Sequence, residues 1–64
     1  MSFINALSQR ERETLRRVVR MVHMKHFPKD FASDYEADKI IETIGPEAAG
    51  KMIKLGIDRG IHNA

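Results

Sequence analysis

Ser33-Asp34-Tyr35-Glu36-Ala37-Asp38-Lys39-Ile40-Ile41-Glu42-Thr43-Ile44-Gly45-Pro46-Glu47 contains, in order, a helix start, an apolar stripe, a stop and a second start. The Ser33 hydroxyl is placed to accept from the amide of Glu36 while the Glu36 carboxylate reaches back to the Ser33 amide. Asp34 adds negative charge where a helix dipole favours it. Ala37, Ile40, Ile41 and Ile44 then recur at the i, i+3, i+4, i+7 spacing that lines one helix face. Gly45 is the residue most often found just past a helix end, and Pro46 suits the first position of a new helix, where its missing amide proton costs nothing. The stretch predicts one helix over about 34–44 and an abrupt turn into another.

Upstream the same grammar recurs. Ser8-Gln9-Arg10-Glu11 is a second capping box, and Leu15, Val18, Val19, Val22 and His26 form the stripe of the helix it opens. Pro28 has no amide proton and pushes Phe27 out of helical geometry, so that helix should end near His26. Phe3, Ile4 and Leu7, ahead of the first cap, are expected to pack under the helices. Downstream, Ala48, Ala49, Met52, Ile53, Leu55, Gly56, Ile57 and Gly60 spread over half the circumference of the last helix, wider than one core stripe needs. Gly56 and Gly60 weaken its end, and the tail beyond is expected to fray. The reading is a single all-α domain over 1–64, a three-helix bundle with helices over about 9–26, 34–44 and 46–58.

Sixty-four residues give a thin core at best. Small cores are commonly reinforced by disulfides, metal or a partner. With no cysteine, the first route and thiolate-bound zinc are closed, which leaves good helix packing or self-association. Apolar runs of a few residues fall far short of the roughly 20 that span a bilayer, and no basic-then-apolar leader is visible, so the expectation is a cytoplasmic protein with no membrane contact.

The net charge of +2 hides an uneven distribution. Residues 1–29 hold seven Lys or Arg against two acids, and residues 30–64 hold four against seven. On the first helix Arg10, Arg16, Arg17 and Arg20 fall together opposite Leu15 and Val22, a ridge suited to phosphates or to an acidic partner. Asp34, Asp38 and Glu42 recur every four residues on the second helix and can meet that ridge within the chain, the pairing this reading ranks above nucleic acid.

No residue set carries catalysis, a cofactor or a metal. His23 and His26 are three apart, but His26 projects with the apolar stripe and reads as packed, while His62 lies in the tail. Ser8 and Ser33 are spent as caps, and no glycine-rich phosphate loop is present. Tyr35 sits on the polar side of its helix, placed either to anchor a partner or to fold over the Phe27 and Phe31 connector, which is preferred. Met21 and Met24 drift off the core stripe.

Leu7-Ser8-Gln9-Arg10-Glu11-Arg12-Glu13-Thr14-Leu15 resembles the opening of the DNA-binding domain in LuxR-type regulators, over nine of 64 residues. The resemblance implies a capped first helix. Beyond Leu15 the chain departs from that pattern, lacking its short second helix and its recognition helix, so no DNA-reading residue carries over. A general helix-turn-helix fits poorly as well, with Ile41 where a small residue belongs and Pro46 directly after the turn glycine.

The expectation is therefore a non-enzymatic protein-interaction module, without cofactor or small-molecule substrate. It would be a small regulator, inhibitor or structural subunit of the kind seen among phage accessory proteins. Its docking surface would be Met52, Ile53, Leu55 and Ile57, with Tyr35 and Met24 in support, and its partner another protein or a second copy. The alternative is a nucleic-acid-binding domain using Arg10, Arg16, Arg17 and Arg20 on phosphates.

Overall fold

The computed structural model describes residues 3–61, and every structural element among them is helical or turn. A 3₁₀ turn, Phe3–Ala6, precedes helix α1, Gln9–His26, and helix α2, Asp34–Asp58. Both capping boxes close. Ser8 Oγ accepts from the Glu11 amide at 3.1 Å and the Ser8 amide donates to Glu11 Oε1 at 2.9 Å. Ser33 Oγ accepts from the Glu36 amide at 3.2 Å, and the Ser33 amide reaches Glu36 Oε1 at 3.5 Å. Phe27, ahead of Pro28, takes φ −133°, ψ 72° and ends α1.

The structure has two α-helices where the sequence predicts a three-helix bundle. The segments expected over 34–44 and 46–58 are one element, α2, bent at Gly45, whose φ 87° and ψ 168° lie outside helical geometry. Gly45 alone absorbs the change of direction, and Pro46 resumes the helix at a position that needs no amide donor, so no connector separates the halves.

The core is built from one stripe of each segment. Leu15, Val18 and Val19 of α1 are buried with Ala37, Ile41, Ala49 and Ile53 of α2. Ile4 from the 3₁₀ turn is buried against them, with Phe3 and Leu7 packed alongside. Gly56 permits a close approach of the two helices: a Cβ built there would lie 2.5 Å from Thr14 Cγ2 and 3.1 Å from Val18 Cγ2. Thr14 is buried and returns its hydroxyl proton to the Arg10 carbonyl at 2.8 Å. No helix among the described residues is long and apolar enough to cross a membrane.

Candidate functional site

Each apolar stripe outruns its cover. On α1 the row that is buried at Leu15, Val18 and Val19 continues to Val22, which is 49% exposed, and to His26, which is exposed rather than packed. On α2 the row that is buried at Ala37 and Ile41 continues to Ile44, 38% exposed, just before the bend. The protein measures 31 × 27 × 17 Å, and the covered part of each stripe stops short of Val22 and Ile44. One side of the helix pair is left open to solvent.

Two troughs lie on that side and share Val22. The first, of about 350 Å³, has Val19, Val22, Ile40 and Met52 along it and Phe27 and Ile44 at its edges. Its polar lining is His23 and His26. The second, of about 260 Å³, runs between Val18, Met21 and Val22 of α1 and Leu55 of α2 and reaches Ile61. Its charged lining is Lys25 and Arg59. At the end of α1 the His23 and Phe27 rings meet in a tilted contact, centroids 5.0 Å and planes 32° apart, and His23 Nε2 lies 2.9 Å from Asp30 Oδ2.

The residues singled out as an interface from sequence are dispersed by the fold. Met52 lines the first trough and Leu55, 43% exposed, the second. Ile53 is in the core. Ile57 and Met24 are exposed but line neither trough. Tyr35 is 71% exposed with Lys39 Nζ 5.4 Å from its ring centroid, and among the described residues no ring contact joins it to Phe27 or Phe31. Met21, Val22, Ile40 and Ile44 were visible in the sequence as stripe or near-stripe positions, but periodicity alone does not say which end of a stripe is covered.

Two of the four ridge arginines, Arg16 and Arg20, are turned to the chain's own acids. Arg16 grips Asp38 with Nε to Oδ1 at 2.9 Å and Nη2 to Oδ2 at 2.8 Å, and its Nη1 lies 3.6 Å from Asp34 Oδ2. This clamp holds the Asp38 carboxyl below the usual aspartate range and raises Arg16 further. Arg20 pairs with Asp34, donates to the Ala32 carbonyl at 2.8 Å and lies over the Phe31 ring. Arg17 donates to the Ile61 carbonyl at 3.1 Å. Glu42, the third acid of the stripe, is exposed and joins no ion pair among the described residues. The hollow along the ridge is lined by Glu13 and Asp34 as well as Arg16, Arg17 and Arg20, so its charge is nearly balanced.

Among the described residues no three His, Cys, Asp or Glu side chains converge as a metal site would require; His62 lies outside those residues. No protein-family model matches the chain, and neither a curated protein nor a solved structure matches it.

Proposed function

We propose that the protein is a non-enzymatic interaction module, a small regulator, inhibitor or structural subunit, that docks on another protein chain through the open groove between α1 and α2. The observation that carries this reading is contiguity. Met21, Val22, Phe27, Ile44 and Leu55, five of the nine large apolar side chains exposed among the described residues, line two adjoining troughs that share Val22. Grouped exposed apolar side chains in a concave site are characteristic of protein docking surfaces. A cytoplasmic setting belongs to the same reading and draws on the cysteine-free composition.

Nucleic-acid binding through Arg10, Arg16, Arg17 and Arg20 draws less support, because Arg16, Arg17 and Arg20 all donate to acceptors within the chain. Site-specific photocrosslinking tests the docking reading. A photoreactive residue at Leu55 or Val22 should give a discrete higher-mass adduct in the cells that make the protein, and one at Glu47, exposed on α2 outside both troughs, should not. Absence of adducts at the groove, or equal adducts at Glu47, overturns it.

A further inference from the structure

The rim of the groove identifies its occupant. Every titratable side chain lining the two troughs is a base: His23 and His26 on the first, Lys25 and Arg59 on the second. No carboxylate lines either one among the described residues; Asp30, beside the first, is hydrogen-bonded to His23. The cationic side chains Lys25 and Arg59 therefore stand at the edge of the apolar floor in the second trough, and a partner that buries it is favoured by bringing negative charge to that edge.

A second copy of this chain paired face to face through the groove does not bring that charge. A two-fold interface sets a patch against itself, so Lys25 and Arg59 of one copy would crowd the same bases of the other. A head-to-tail arrangement could bring the exposed Glu42, Glu47 or Asp58 of a second copy to the rim; such contacts would appear as concentration-dependent association in light scattering. The shape is that of a seat for a helix. The wall formed by α1 runs from Val18 to His26, a rise of about 12 Å at ~1.5 Å per residue, or roughly two turns. Apolar side chains at i, i+3 or i+4, and i+7 of an incoming helix span the same length.

Resting on the docking reading above, we propose that the groove binds an amphipathic helix of another protein whose apolar stripe is flanked by Asp and Glu. The test is a display selection with the full 64-residue chain as immobilised target. The library is an 18-residue helical frame with Leu, Ile, Met or Phe at the stripe positions. Its flanking positions are randomised among Asp, Glu, Lys, Gln and Ser. Acids at the flanks should be enriched at least threefold over the input.

A synthetic peptide of the selected sequence should lose at least tenfold in affinity on Leu55→Glu, and a similar factor on the double change Lys25→Glu with Arg59→Glu. Exchanging the peptide's flanking acids for lysines should restore binding to that double variant. All three positions are exposed, so unchanged helix content by circular dichroism will confirm that the variants fold.

Enrichment of basic or uncharged flanks, or indifference to Leu55→Glu, overturns the proposal. Light scattering and phosphatidylserine vesicles run beside the selection. A concentration-dependent dimer abolished by Val22→Glu, with no acidic helices selected, overturns it in favour of a second copy and leaves the docking reading standing. Binding to the vesicles with nothing selected overturns it in favour of an anionic membrane. A monomer that selects nothing and gives no groove adducts overturns both.

Discussion

Arg16 and Asp38 meet across the two helices in a two-pronged hydrogen bond, Nε to Oδ1 at 2.9 Å and Nη2 to Oδ2 at 2.8 Å. The planar guanidinium matches the carboxylate edge to edge, which fixes the rotation of α1 against the first half of α2 as well as joining them. The side chains retain 21% and 29% of their exposure, so the pair is neither an exposed contact nor a buried ion pair.

Asp38→Ala should destabilise the fold by about 1–2 kcal/mol in urea denaturation, the lower part of the range for charge-assisted bonds because water still reaches both groups. The pH dependence has a definite sign. The clamp with Arg16 lowers the folded-state pKa of Asp38, so the unfolded chain takes up the proton first as pH falls. The stabilisation is complete above the ordinary aspartate range, near pH 4, and is lost as the pH drops through the lower folded value. Asp38→Asn should remove that part of the acid dependence, and a wild-type slope in the variant would show that other carboxylates carry it.

Gly56 and Gly50 should respond to alanine with opposite signs. Both gain about 0.5–1 kcal/mol of helix propensity. At Gly50 the new Cβ meets nothing within 4 Å, so Gly50→Ala should raise stability by about that amount. At Gly56 it collides with Thr14 Cγ2 at 2.5 Å, and Thr14 cannot rotate away without breaking its bond to the Arg10 carbonyl. Overpacking costs typically about 1–3 kcal/mol, so Gly56→Ala should be destabilising on balance. Paired thermal melts check both, and equal shifts for the two variants would contradict the close approach.

The contrast between these glycines marks where the sequence stops being readable. Ser8 with Glu11, Ser33 with Glu36, and Phe27 before Pro28 act within a turn of chain, so their residues suffice to place the helix ends. Whether Gly45-Pro46 separates two helices or bends one depends on how the segments seat on α1, and local preferences are alike in both cases. The pairing of Arg16 and Arg20 with Asp38 and Asp34 was foreseeable because both rows repeat at four residues, whereas Glu42 belongs to the same row and is left out. The groove was the least visible feature. Val19 and Val22 are identical residues in one stripe, buried at 2% and exposed at 49%, and only the path of α2 distinguishes them.

Gly45 should tolerate no ordinary side chain. Its φ of 87° with ψ 168° lies in a region occupied almost only by glycine, while nothing lies within 4 Å of a Cβ placed there. A loss in Gly45→Ala therefore reports the backbone alone, at about 1–3 kcal/mol. The same change would favour a straighter α2, so the groove formed with the second half should open. Reduced stability together with weaker binding of a groove-directed peptide is the expected pair of results; a Gly45→Ala variant as stable as wild type would mean the bend is not obligatory.

Function at the groove predicts that its residues contribute little to folding. Leu55→Gln and Val22→Gln remove apolar surface that is already 43% and 49% exposed, so each should change stability by no more than about 0.5 kcal/mol. Leu15→Ala and Ile41→Ala empty fully buried positions in the core cluster and should cost about 2–5 kcal/mol each. Solubility should move the other way, with the glutamine variants remaining dispersed at concentrations where the wild type associates or binds apolar dyes. Denaturation and dye binding on the same four variants separate the two roles. If Leu55→Gln proved as damaging as Leu15→Ala, Leu55 would have to be part of the core, and the open side of the helix pair would be closed in solution.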